Sequence, residues 1–336
     1  MSSRTRSMFA AVCAVALLGA GCGTTSTNAG AAGGGPDSAE VCDGPGEEYT
    51  IGVSQANVAE PYRVRMNADI RRAAAEVEQF DEVQFLDAAQ DNSRQVSQIR
   101  TLITKRVDLL IVSPNEAAPL TGVVGRAYNS GIPVILLDRK VNGDSYSTFI
   151  GADNERIGRK AGEYLAEQLL PEGGEIVELR GLSGSTPAAE RGRGFRAGIE
   201  GSGIEIIATA DGQWLRAEAR SKMAAMLKAH PRIDAVYGHN DPMAEGAHLA
   251  ARTAGRAEGT KFVGIDGLPT PSGGIKAVRQ GRLSATFVYP TGGAEAITAA
   301  KRILIDCESV PRKRTLPTQL VTRENAAEVY RRLNSR

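Results

Sequence analysis

From residue 49 onward, short runs rich in Val, Ile and Leu alternate with stretches whose apolar positions are spaced by three and four. The first kind predicts strands over residues 49–54, 83–87, 107–113, 132–138, 175–181, 204–210, 234–240, 262–266 and 284–290. The second kind predicts helices. Met66, Ile70, Ala73 and Val77 would share one face of the first, and Val96, Ile99 and Ile103 one face of the next. Near-continuous aliphatic strands are buried on both sides, which is the signature of parallel sheet covered by helices. The body of the chain is longer than one hydrophobic core usually grows. The pattern therefore predicts an α/β protein made of two doubly wound parallel-sheet domains.

The start of the chain reads differently. Arg4 and Arg6 precede an apolar run from Met8 to Leu18, and small residues lead up to Cys22. Such a run is too short for a membrane-spanning helix but suits the core of a signal peptide. Its end resembles the bacterial lipoprotein signal, although Gly19 stands three residues before the cysteine where leucine is usual. That resemblance implies a signal peptide over 1–22 and a lipid on Cys22. Residues 23–47, opening GTTSTNAGAAGGGP, have no periodicity and read as a flexible linker. With either a lipoprotein or an ordinary secretory signal, the protein leaves the cytoplasm.

Composition narrows the function. Forty basic residues face thirty-nine acidic ones in 336, so there is no basic footprint for nucleic acid. Of four cysteines, Cys13 would leave with the signal and Cys22 would take lipid, which leaves Cys42 and Cys307 for an oxidising compartment. They are either bridged or two separate buried thiols. The three histidines, His230, His239 and His248, have no metal-site spacing, and His230 and His248 are expected on solvent. No Walker loop or dinucleotide fingerprint occurs, and the run at 181–185, GLSGS, lacks the closing glycine of a nucleophile elbow. The two glycines of RGRGF at 191–195 fall on a helix start and match a ligand-binding loop only weakly. A binding protein with no metal and no cofactor explains these absences better than an enzyme.

Chemistry-bearing residues gather just after the predicted strands: Glu60, Tyr62 and Arg63; Asp138 and Arg139; Arg191 and Trp214; Asn240; Asp266; Tyr289. Ligands of open α/β sheets bind outside the carboxyl ends of strands. Two domains with those ends facing each other would pool the groups in one cleft.

The strings IGVSQANVAEPYRVRM, IPVILLDRKV, ADNERIGRKAGEYL, AAERGRGF, YGHNDPMAEGA and FVGIDGLP resemble the type I periplasmic sugar-binding proteins, the solute receptors of ABC importers. The resemblance covers roughly residues 48–336. Gln55, the pair Tyr62–Arg63 and YGHNDPM are most similar to its galactofuranose-binding branch, which has tryptophan at the position of Tyr62. It implies a ligand-binding set of Gln55, Glu60, Tyr62, Arg63, Asp138, Arg139, Arg191, Trp214, Asn240, Asp266 and Tyr289. Two of these depart from the ribose binder, with Arg63 where a second aromatic stands and Tyr289 where glutamine is usual. The family fold also implies a three-strand hinge, crossing near 152–154, near 290 and near 312–314. One lobe would hold 48–152 with 290–313, and the other 153–289 with 314–336. The same fold puts Cys42 and Cys307 together at the pole away from the cleft, which predicts their disulfide.

Tyr62 and Trp214 would sandwich a sugar face, while Asp and Glu accept from hydroxyls and Arg and Asn donate. Glu60, Asp138 and Asp266 balance Arg63, Arg139 and Arg191, so the expected ligand is a neutral monosaccharide: a furanose hexose, a pentose or a sugar alcohol. The implied partners are an ABC permease and its ATPase, with the monomeric receptor lipid-anchored to the outer face of the cell membrane. A sensor subunit feeding a signalling receptor is the alternative.

Overall fold

The computed structural model describes Cys42, Gly44 and residues 46–335. The expected signal peptide, the lipidation site Cys22 and most of the linker lie outside the described residues.

The first half of the chain runs β1 (Thr50–Gln55), α1 (Pro61–Ala74), β2 (Glu82–Asp87), α2 (Asn92–Thr104), β3 (Leu109–Ser113), α3 (Ala117–Asn129), β4 (Val134–Leu137) and β5 (Thr148–Ala152). Then follow α4 (Asn154–Tyr164), continued by a π-helical turn at Leu165–Leu169, β6 (Gly174–Arg180), α5 (Thr186–Gly198), β7 (Ile204–Asp211), α6 (Arg216–Ala229), β8 (Ala235–Gly238), α7 (Asp241–Thr253), β9 (Lys261–Val263) and α8 (Gly274–Arg279). The chain closes with β10 (Thr286–Val288), α9 (Gly293–Leu304), β11 (Lys313–Leu316), β12 (Gln319–Val321) and α10 (Ala326–Asn334).

Two parallel sheets result. The first has the order β11-β5-β4-β3-β1-β2 and the second β7-β6-β8-β9; β10 and β12 form a separate antiparallel pair. The aliphatic strands behave as their composition requires: β3 and β4 are buried at every position. One apolar cluster, including Ile99, Leu102, Leu110, Val124 and Phe149, fills one face of the first sheet. A second, including Leu179, Met223, Val236 and Ile275, fills one face of the second sheet. A third runs through both domains from Ile51 and Met66 to Phe195 and Phe287. Short polar side chains start the helices near the strand ends: Asp91, Asp153 and Asn240 accept from the amides of Arg94, Arg156 and Met243.

Several local expectations change. The strand β5 was not anticipated, because TFIGA carries a glycine and too few aliphatics to stand out; β11 is an exposed edge strand and β12 has three residues. The run at 262–266 is regular only to Val263, with a single bridge at Asp266 to Val288. Helix α1 stops at Ala74, so Val77 lies beyond it. His230 and His248 are half-buried rather than on open solvent, His248 with its ring edge-on to Phe262 at 5.3 Å. The chain crosses between the sheets at Asp153 and again between Val288 and Gly293. Its third crossing comes after Leu316, not at 312–314, because residues 313–316 pair with β5 in the first sheet.

Cys42 and Cys307 are bridged, with Cα atoms 5.3 Å apart. Beside them the Tyr49 hydroxyl donates to the carbonyl of Leu304, tying the start of β1 to the end of α9. Among the described residues no helix is long and apolar enough to cross a membrane.

Candidate ligand-binding site

Each wall of the site begins where a strand ends. After β1 the chain turns through Asn57, whose side-chain amide donates to Glu60 Oε1 at 2.7 Å, and enters α1 at Pro61. This puts Tyr62 and Arg63 in the first helical turn, both buried. Asp138 follows β4 in the left-handed region, at φ 68°, and Arg139 comes next. Arg63 Nη2 lies 2.6 Å from Asp138 Oδ2, and its Nη1 donates to the Ser113 hydroxyl at the end of β3. Arg139 donates to the carbonyl of Asn115 and lies 3.9 Å from Glu60.

The opposite wall comes from the second sheet. Arg191 sits inside α5 rather than before a helix, and its Nε donates to Asn154 Oδ1 at 2.9 Å while Nη1 donates to the carbonyl of His239. Glycines set this helix: a Cβ on Gly158 of α4 would stand 2.2 Å from the Arg191 carbonyl oxygen. The glycines of RGRGF thus serve close helix packing, since a Cβ on Gly194 would fall 1.9 Å from the carbonyl oxygen of Glu155. Trp214 follows β7 at φ 68°, its ring lying over Gly181, where a Cβ would come within 2.1 Å. Asn240 caps α7 and donates to the Trp214 carbonyl at 3.0 Å.

These side chains line one cavity: Glu60, Tyr62, Arg63, Asp138, Arg139, Pro187, Arg191, Trp214, Asn240 and Asp266. The expected residues it does not include are Gln55 and Tyr289. Gln55 turns toward α1 and donates to Asn67 Oδ1 at 2.7 Å. The Tyr289 hydroxyl donates to Asp138 Oδ1 at 2.7 Å and so stands behind a lining residue. Sequence reasoning missed Pro187 and the polar residues that hold the arginines, Ser113, Asn115 and Asn154. Ser113 ends a predicted strand and Asn115 lies two residues past it; Asn154 follows β5, which the sequence pattern does not reveal.

The electrostatics are those of a dry, crowded site. Burial would raise the Asp138 carboxyl, but Arg63, Arg139, the Tyr289 hydrogen bond and Arg191 outweigh it and hold it below its ordinary value. Burial, and then neighbouring Arg63, lower Arg139 to about 10. Behind the cavity, Asp241 accepts from the Thr286 hydroxyl and the Gly267 amide. Burial first and their mutual repulsion next push Asp266 upward, and burial pushes Asp241 up to about 7. Both carboxyls therefore give up their protons less readily than ordinary carboxylates. Arg63 Nε, Arg139 Nε and Trp214 Nε1 are buried donors without a hydrogen-bond partner among the described residues. A ligand bearing several acceptor oxygens is what such donors need. No group of three or more His, Cys, Asp or Glu among the described residues is placed to hold a metal ion.

Two parallel-sheet domains joined by a hinge, with strand ends of both converging on a polar cavity, are the architecture of the type I periplasmic binding proteins. The profile of the family described as periplasmic binding protein domain matches residues 51–306, and the chain belongs to that family. It is 32% identical over 241 residues to the ribose import binding protein of Salmonella typhimurium strain LT2, covering 71% of this chain and 79% of that one. It is 29% identical to the galactofuranose-binding protein of Escherichia coli K12, over 80% of this chain and 85% of the relative. Among solved structures it resembles a fructose-binding periplasmic domain of a hybrid two-component system, with a TM-score of 0.82 and 44% identity over 86% of this chain and 95% of the other. These relatives are binding proteins, in agreement with the absence of catalysis expected from sequence.

Proposed function

We propose that the protein is an extracytoplasmic receptor that binds a neutral monosaccharide in the cavity between its domains and delivers it to an ABC importer. The observation that carries the reading is the cavity lining. Tyr62 and Trp214 offer aromatic surface, and acceptors and donors from both domains surround it. Three guanidiniums, Arg63, Arg139 and Arg191, face three carboxyls, Glu60, Asp138 and Asp266. An anionic ligand would upset that balance, whereas a sugar meets it with hydroxyls that both donate and accept.

The ligand is a furanose hexose, a pentose or a sugar alcohol; the relatives named for galactofuranose, ribose and fructose support this range. Closure proceeds by bending at the three crossings, buries the sugar, and forms the surface read by the permease, whose ATPase drives uptake. The receptor works as a monomer tethered by lipid on Cys22. The second reading, a sensor feeding a signalling receptor, is favoured by the likeness to a two-component periplasmic domain.

The test is thermal shift of the purified protein against neutral pentoses, furanose-rich hexoses and polyols, with amino acids and sugar phosphates as controls. A large shift with one or two neutral sugars is expected. A shift from a control alone would overturn the charge argument. Stimulation of the reconstituted importer's ATPase by the loaded receptor separates transport from sensing.

A further inference from the structure

A carboxylate and an imidazole lie behind the second-domain wall, fully buried, and sugar contact uses neither. Glu178 on β6 and His239, just past β8, are both 0% exposed, with Glu178 Oε1 2.9 Å from His239 Nε2. The amide of Gly181 points at His239 Nδ1 at 3.4 Å. An amide can only donate, so Nδ1 accepts and Nε2 carries the proton, which it gives to Glu178. The hydrogen bonds fix one neutral tautomer.

Every second-domain wall residue but Asp266 and Pro187 is one contact from this imidazole's residue. The His239 carbonyl accepts from Arg191. Gly181, bonded to the ring, is the residue over which Trp214 lies. Asn240 is the next residue in the chain and holds the Trp214 carbonyl. Gly192 of α5 makes room for the pair, since a Cβ there would come 3.3 Å from Glu178 Oε1 and 3.7 Å from the imidazole.

We propose that His239, locked by Glu178, is the positioning residue of the second-domain wall and sets Trp214, Arg191 and Asn240 for ligand. This rests on the sugar-receptor reading. The groups facing the ring are Glu178 and Arg180 on β6, Arg191 and Arg196 on α5, and Tyr237 on β8. Burial first, then Arg191 and Arg180, lower the imidazole's pKa against the pull of Glu178. The ring is therefore neutral at neutral pH. A proton gained in acid turns Nδ1 into a donor, breaks its bond to the Gly181 amide and sets a charge beside Arg191.

Trp214 is the chain's only tryptophan, so its emission reports this wall with no sugar present. The experiment follows emission and sugar affinity from pH 8 to 5 in the full protein, in His239→Gln, which cannot titrate but can still donate to Glu178, and in His239→Ala. Wild type should show an emission step below the ordinary histidine range of about 6.5, together with about tenfold weaker binding. His239→Gln should lose the emission step and the part of the affinity change that tracks it, leaving what the raised carboxyls of Asp241 and Asp266 contribute, and His239→Ala should bind about tenfold more weakly at pH 7.5, equivalent to about 1.4 kcal/mol. Sugar binding with the same emission and affinity profile in wild type and His239→Gln would overturn the positioning role alone. Normal binding by a folded His239→Ala would do the same. An emission step in a protein that binds no neutral sugar would overturn the receptor reading and this role with it.

Discussion

At Asp138 binding and folding are tied together. From sequence alone, a change there should weaken ligand binding and leave the melting temperature untouched. The structure alters that expectation, because Asp138 neutralises the buried Arg63 at 2.6 Å and accepts the Tyr289 hydroxyl. Breaking a buried pair by removing one partner costs about 3–5 kcal/mol. Asp138→Ala should therefore lose at least about tenfold in affinity, about 1.4 kcal/mol, and also melt markedly lower. Calorimetry of binding and of unfolding reads the two effects separately, and an unchanged melting point would refute the pairing.

The Asp241–Asp266 pair makes a pH prediction. A carboxyl whose folded pKa is raised stabilises the protein fully below its ordinary value, and that contribution is lost as pH rises through the folded value. For Asp241 that value is about 7. Wild type should lose stability relative to Asp241→Asn between about pH 4 and 7 and level off above that, as melting curves across the range would show. A constant difference would mean that the Asp241 carboxyl is not raised.

Among the elements, the α4–α5 contact matters most for the site. Its glycines let two helix backbones touch, and Arg191 rides on that contact. Gly158→Ala pushes a methyl into the Arg191 carbonyl; overpacking of this kind costs about 1–3 kcal/mol, and ligand affinity should fall with it. Gly122→Ala on the exposed face of α3 is the control, since its Cβ would meet nothing closer than 3.9 Å. That change should be neutral or stabilising by up to about 1 kcal/mol. Equal effects of the two substitutions on affinity would sever α4 from the site.

The elements differ in how openly the sequence announces them. The strands β3 and β4 are continuous aliphatic runs and could be read directly. TFIGA of β5 and the exposed KRTL of β11 could not, because a strand lying beside others draws its stability from hydrogen bonds that leave no trace in its own composition.

For the whole molecule, the Cys42–Cys307 bridge closes nearly the entire body, its ends 265 positions apart. It lies where β1 starts and α9 ends, opposite the strand ends that build the site. Reducing it or replacing both cysteines with serine should lower stability by about 2–5 kcal/mol while leaving sugar affinity unchanged. Loss of affinity would mean that the bridge restrains the hinge as well as the unfolded chain.

The sequence by itself determined the class. Alternating strand and helix periods require parallel sheets, and polar residues after the strands require a site at the carboxyl ends, since both follow from local spacing. Only the tertiary structure decided which polar residues face the ligand and which hold others in place. Gln55 and Asp138 both stand at the carboxyl ends of strands, yet Gln55 is taken up by Asn67 while Asp138 lines the cavity between two arginines. The raised carboxyls of Asp241 and Asp266 and the single tautomer of His239 also depend on burial and on neighbours far apart in the chain, which no local pattern encodes.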